Sequence, residues 1–369
     1  MRMVGIVFSN IYDATMGELT KKRTVASLPF GGRYRQIDFV LSNMVNSDIA
    51  NIGVITKYNY QSLMDHLSSS SEWDLNRKTG GLFILPPFST GHTGIYRGKI
   101  EALNGAMSFL KGNKDEYVLL SDSTIICNID YDKILDEHIK SKKDVTIIAN
   151  RAEKRAKYDL VLDAEKNNKV TGIAVDATAS KGELTGMGMF IMKREELIDM
   201  IEDSVARGLY HFEKDFLQRK FMDKKISINV YEFSDYVLRN RDVVSYFDNN
   251  LKLMDEDVRN SLFNVKRPIY TKVRDEVPTR YGSVAKVDDC IVADGCTIHG
   301  SAENSVIFRD VRIGKGATIK NSIIFQGTSI GENAVVENAI IDKDAKVTDG
   351  TTLIGAKSAP IIINKNETV

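Results

Sequence analysis

Toward the end of the chain the pairs Val306-Ile307, Ile323-Ile324 and Ile340-Ile341 recur every 17 residues, preceded by Asn304-Ser305, Asn321-Ser322 and Asn338-Ala339. Between them Ile313, Ile319, Ile324, Ile330, Val336, Ile341, Val347 and Leu353 advance in steps of 6, 5, 6, 6, 5, 6 and 6. Three such steps close one turn. Each step offers one apolar residue that only a neighbouring turn can cover, so turns must stack. This predicts a left-handed parallel β-helix of the hexapeptide-repeat kind over residues 281–369. An antiparallel sandwich of short strands would not hold three copies in one register with the same neighbours.

Upstream the pattern differs. From Met3 to about Phe233 short apolar runs alternate with amphipathic stretches, the mark of βα units around a mostly parallel sheet. Six strands are expected: Val4–Phe8, Ile52–Thr56, Tyr117–Ser121, Val145–Ala149, Met187–Met192 and Ile226–Tyr231. Helical spacing marks Asp38–Val45, Gly98–Leu110, Tyr131–Ile139, Arg194–Val205 and about Val243–Phe263. Such α/β domains bind ligands at the C-terminal ends of their strands. Arg267–Arg280, with two of the six prolines, reads as a linker. The expected organisation is thus a Rossmann-like α/β domain over 1–265, a linker over 266–280 and the β-helix over 281–369.

The 369 residues carry 50 Lys+Arg against 50 Asp+Glu, so no global charge attracts nucleic acid or an anionic membrane, and neither is an expected partner. Three cysteines, Cys127, Cys290 and Cys296, match no thioredoxin or zinc spacing. The first ten residues have neither a membrane span's length nor a signal peptide's cleavage site. The cytoplasm is the expected location.

Leu19-Thr20-Lys21-Lys22-Arg23, then Pro29-Phe30-Gly31-Gly32-Arg33-Tyr34-Arg35, Ile37-Asp38-Phe39 and Leu41-Ser42-Asn43 resemble the N-terminal signature of the glucose-1-phosphate adenylyltransferase (ADP-glucose pyrophosphorylase) family. Trp73-Asp74-Leu75, Leu85-Pro86-Pro87, Tyr96-Arg97-Gly98, Asp130-Tyr131 and Met187-Gly188 follow in the family's order. The resemblance implies a nucleotidyltransferase domain carrying the β-helix. It also implies the family's reaction, in which glucose 1-phosphate attacks the α-phosphorus of ATP with Mg²⁺ and yields ADP-glucose and pyrophosphate, the committed step of bacterial glycogen synthesis.

That chemistry needs backbone N–H groups and cations around the triphosphate, and carboxylates for the metal. Here those positions have changed. The family's G-G-x-G-x-R-L loop is Ser9-Asn10-Ile11-Tyr12-Asp13-Ala14-Thr15-Met16, with Thr15 at the arginine. Its R-A-K-P is Arg23-Thr24-Val25-Ala26, with Val25 at the lysine. Counting back from Asp130, the metal aspartate of S-G-D-H falls on Thr124, with Asp122 two residues away as a residual metal candidate. His211 stands at the aspartate of H-D-F-G-K-D, within Tyr210-His211-Phe212-Glu213-Lys214-Asp215. The sugar-phosphate motif F-V-E-K-P is absent from Gly172-Ile173-Ala174-Val175-Asp176, and G-T-A-D-A has become Gly98-Lys99-Ile100-Glu101-Ala102. Losing one transition-state donor typically costs ~10²-fold in rate. The chain therefore resembles the family's non-catalytic, regulatory subunit type, which implies no catalytic residue or cofactor of its own, Mg²⁺ held by a catalytic partner, and a hetero-oligomer, a tetramer in this family.

Lys22, Arg23 and Arg35 match basic positions that the family uses around an anionic effector, a sugar phosphate or AMP, and Pro29 replaces a histidine found there in some members. A solvated or interface face is the alternative for these cations. His211 has no second His or Cys at ligand spacing, and Trp73 reads as a packing or interface anchor. Two rival functions remain: a self-sufficient nucleotidyltransferase using Asp122, and a hexapeptide acyltransferase using His299.

Overall fold

The computed structural model describes residues 3–87 and 96–369. Two compact units form, and they interleave along the chain: residues 1–11, 40–60 and 68–237 make the first, and residues 12–39, 61–67 and 238–369 the second.

The first unit is built on one mixed sheet. Its strands are β1 (Met3–Phe8), β2 (Asn51–Ile55), β3 (Gly81–Leu85), β4 (Tyr117–Asp122), β5 (Val145–Arg151), β6 (Ala156–Ala164), β7 (Val170–Ala179), β8 (Leu184–Lys193) and β9 (Ile228–Glu232). Parallel pairing gives the order β3-β2-β1-β4. Strand β8 then runs antiparallel between β4 and β5, and β9 pairs parallel to β5. Strands β1 and β4 are buried along their whole length, which is why they read as unbroken apolar runs. Helices α1 (Lys99–Gly105), α2 (Tyr131–Ser141) and α3 (Arg194–Ala206) belong to this unit. Ile100 and Leu103 of α1, and Leu197 and Ile201 of α3, join the core cluster with Val4, Ile6, Val118 and Leu120. Trp73 is 1% exposed, a packing residue of this unit.

All six expected strands form. The hairpin β6–β7 and the edge strand β3 were not expected, and the predicted helix Gly98–Leu110 divides at Ala106 into Lys99–Gly105 and Met107–Gly112. The chain order of the strands reverses direction at β1 and β4, whose last residues, Phe8 and Asp122, are register partners. A crevice outside such a switch point is where open α/β sheets take their ligands.

In the second unit the 17-residue period becomes spatial register. Ile313 pairs with Ile330, Ile319 with Val336, and Ile324 with Ile341, all in parallel. These side chains and Val347 form one buried column-lined core, that of a parallel β-helix. The recurring asparagines also have a physical reason. Asn304, Asn321 and Asn338 sit at corners with φ of 44°, 44° and 50°, a left-handed conformation that Asn tolerates better than most residues. Asn304 donates to Asn321 Oδ1 at 2.7 Å, and the Ser305 hydroxyl accepts the Ser322 N–H at 3.0 Å, so the corners are tied from coil to coil.

The predicted helix Val243–Phe263 is two helices, α4 (Val243–Leu251) and α5 (Glu256–Leu262). Asp242 and Ser245 form a capping box on α4, and Asp255 caps α5 through the Asp257 N–H. Asp255 thus stops one periodic run and starts another. Among the described residues no helix is long and apolar enough to cross a membrane.

Candidate functional site

Two clusters of charge stand out, one in each unit. In the first unit Asp122 ends β4, and Gly188, with φ +66° and no Cβ, leaves room for its carboxylate. Lys99 opens α1. Its ammonium lies 3.0 Å and 3.2 Å from the two Asp122 oxygens and 2.6 Å from Glu213 Oε1. The rings of Phe8 and Phe190 flank it at 5.4 Å and 5.7 Å. The Lys99 side chain is only 14% exposed. Burial alone lowers its pKa, but the charges and hydrogen bonds of Asp122 and Glu213 outweigh that and hold it above the ordinary lysine value.

Two further contacts fix this cluster. Ile100 N–H donates to Tyr210 O at 3.0 Å, and the absent side chain of Gly98 lets the two backbones meet. Asp215, inside the helical segment Phe212–Gln218, accepts the N–H groups of Tyr210 and His211 at 3.0 Å and 2.9 Å and so ties down the backbone that enters it. His211 itself is exposed, and it is Glu213, two residues on, that reaches Lys99. Thr124 is buried in the turn after β4.

The metal that the family resemblance implies does not suit these residues. Mg²⁺ asks for about six oxygens at ~2.1 Å, several of them waters. The two carboxylates present already share an ammonium, and no group of three His, Cys, Asp or Glu side chains among the described residues is placed to hold an ion.

The loop after β1 is equally self-contained. Asn10 accepts the Lys57 N–H at 2.8 Å and donates to Tyr58 O, and Ser9 donates to Ile55 O. Farther on, in the second unit, Tyr12 has φ 68°, the buried Asp13 accepts the Val25 N–H at 2.7 Å, and the Thr15 hydroxyl donates to Tyr12 O and Arg241 O. Val25 is fully buried. Polar groups that a phosphate loop would leave for its ligand are spent on the protein.

The second unit carries the opposite arrangement. One pocket is lined by Arg33, Arg35, Lys272, Arg274, Arg309 and Lys343, with Pro29, His66 and Gln326 between them and no acidic side chain in its wall. Arg35 is fixed by hydrogen bonds to Ser62, at 2.5 Å to its carbonyl and 3.0 Å to its hydroxyl. Lys272 donates to Asp65 O. Arg309 is 5% exposed; its nearest carboxylate oxygen is 3.4 Å away on Asp294, and its buried Nε and Nη2 make no hydrogen bond.

Such crowding shows in the acid–base balance. Burial and the neighbouring Arg35, Arg23 and Arg274 charges push the Lys343 ammonium down to a pKa of about 7. Burial lowers Arg35 to about 10, with Arg23 and Arg274 adding to the effect. Arg309 is lowered by burial first, then by Arg33 and Arg274. His66, 2.5 Å from Asp38, is nevertheless lowered, because burial outweighs that carboxylate. A group of cations with no acidic side chain in the pocket wall suits phosphate or a similar anion.

The three expected effector residues separate here. Arg35 lines the pocket. Arg23 is buried and gives both Asp342 oxygens a hydrogen bond, at 2.9 Å and 2.8 Å. Lys22 is exposed and lines another hollow with Lys21, Arg23, Asp342 and Lys365. His299 is half-buried against Gly282. Sequence reasoning missed Arg309 and Lys343, although the repeat holds them: Arg309, Gln326 and Lys343 are 17 residues apart and therefore occupy one column. It missed the Lys99–Glu213 contact for lack of any local signal, the two being 114 residues apart.

A nucleotidyl transferase family profile matches residues 16–250, and a GlmU-like C-terminal hexapeptide profile matches residues 275–359. The glycogen biosynthesis protein GlgD of Bacillus subtilis (strain 168) is 34% identical over 99% of this chain and 96% of its own length. The GlgD of Geobacillus stearothermophilus is 37% identical over 86% and 83%. Glucose-1-phosphate adenylyltransferase of the same organism is 31% identical over 86% and 83%. With an α/β sheet, a β-helix of 17-residue period and this likeness along nearly its whole length, the chain belongs to the glucose-1-phosphate adenylyltransferase family and, within it, to the GlgD type.

Proposed function

We propose that this chain is a regulatory, catalytically silent subunit of a glucose-1-phosphate adenylyltransferase assembly in bacterial glycogen synthesis, working in the cytoplasm beside a catalytic relative that holds the Mg²⁺. The observation that carries this reading is the cationic pocket of the second unit. Six basic side chains surround it, and burial together with the neighbouring arginine charges lowers one of them, Lys343, to a pKa of about 7. A phosphorylated metabolite, a sugar phosphate or AMP, supplies a counter-ion through charge-assisted hydrogen bonds. Binding then favours whichever conformation of the assembly holds the six cations together, which is how an effector biases a partner's activity.

The first unit supports the silent half of the reading. Its carboxylate pair is closed by Lys99, and its first loop satisfies its own polar groups. The test is ADP-glucose synthesis by this chain alone, by a catalytic relative from the same cell alone, and by the two co-expressed, each with and without a sugar bisphosphate. The expected result is no turnover by the chain alone and a raised kcat or substrate affinity in the pair. Turnover by the chain alone at an ordinary enzymatic rate, abolished by Asp122→Ala, would establish the self-sufficient nucleotidyltransferase instead.

A further inference from the structure

We infer that the Lys99 ammonium is the resident cation of the cleft at the end of β4, tethered between Asp122 and Glu213 where a divalent ion would have to sit, and that it keeps such an ion out. The inference deepens the reading of this unit as silent and rests on it.

Three observations carry it. The ammonium is within 3.0 Å of Asp122 and 2.6 Å of Glu213, so it touches both carboxylates at once. The pair is nearly dry, at 4% and 18% side-chain exposure, so its negative charge requires a cation that stays. The lysine stem starts at the first residue of α1, whose backbone is hydrogen-bonded to Tyr210, on the segment leading to Glu213. A covalently attached ion does not diffuse away. A divalent ion entering from solvent would have to displace it and leave a buried ammonium without a partner.

The experiment is Mn²⁺ binding to the full chain, read from the EPR signal of free Mn²⁺, for the wild type, Asp122→Asn, Lys99→Ser and the Lys99→Ser/Asp122→Asn double variant. The wild type is expected to show no Mn²⁺ binding that Asp122→Asn removes. Lys99→Ser is expected to bind Mn²⁺ at least tenfold more tightly than the wild type, to gain thermal stability from added Mn²⁺, and to lose both properties in the double variant. Asp122-dependent Mn²⁺ binding by the wild type would overturn the inference, and this arm requires no substitution at Lys99. A folded Lys99→Ser that binds Mn²⁺ no better than the wild type would overturn it as well. Neither result touches the regulatory reading, which is tested separately by turnover of the chain alone and of the co-assembled pair.

Discussion

The two units bury positive charge in opposite ways. Lys99 is one ammonium between two carboxylates, and its pKa is raised. Lys343 is one ammonium in a pocket walled by five other cations, and its pKa falls to about 7. Both are lysines in low-dielectric surroundings, and only the neighbours differ. A buried charge that the protein has already paired is structure, while a buried charge left unpaired is an open valence for a ligand. The family's usual reaction site lies with the first kind and the proposed effector site with the second.

The comparison can be broken most severely at Lys99. Lys99→Ala removes the ammonium that two little-exposed carboxylates share, and removing one member of such a set typically costs ~3–5 kcal/mol. Urea unfolding followed by a first-unit probe such as Trp73 fluorescence measures it, and a loss below ~1 kcal/mol would mean the cluster is solvated and the contrast false.

A middle-sized effect concerns pH and anion affinity. Sulfate keeps its charge between pH 6 and 9, so any pH dependence belongs to the protein. Lys343 must be charged to contribute, and its pKa of about 7 in the free pocket means that affinity is flat below pH 7. Above pH 7 it falls by up to about tenfold per unit. Calorimetric titration at pH 6, 7 and 8 checks this. A flat profile to pH 8 would place Lys343 outside the binding set.

The smallest effect is on stability without an anion. The folded pKa of Lys343 lies below its ordinary value of 10.5, so the unfolded chain binds more protons between about pH 7 and 10.5. The penalty from this residue is therefore full below pH 7 and fades as pH rises toward 10.5. Lys343→Met should raise the melting temperature, and by more at pH 6 than at pH 9. Equal stabilisation at both values would sharpen the account by pointing to packing instead of charge.

How much of this was legible depended on whether the cause was local. The β-helix could be read almost to the residue because its period is built into the covalent spacing, and the stacked pairs Ile313–Ile330 and Ile319–Val336 follow from it. The central strands were equally plain, being buried on both faces. The hairpin β6–β7 alternates exposed and more buried positions along much of its length, so it offers no unbroken buried run to find. The helix breaks at Ala106 and Asp255 interrupt periodicities that continue across them. At the sites, Asp122 was found by motif, yet its partner was not, since Lys99 and Glu213 meet only through the fold. Arg23 matched an effector position by motif, but a carboxylate 319 residues away occupies its guanidinium. Arg309, Gln326 and Lys343 recur at the same 17-residue spacing as the apolar pairs, so the repeat itself carries them.

The central claim is that the cations lining the pocket of the second unit serve an effector that acts through this chain on a catalytic partner. Its most direct test is ADP-glucose synthesis by the co-assembled pair as a function of sugar bisphosphate concentration, with the partner unchanged and this chain either wild type or carrying Arg309→Ala and Lys343→Met. The account predicts that the half-stimulating concentration rises at least tenfold when only this chain is altered. An unchanged half-stimulating concentration would place the effector elsewhere and contradict it.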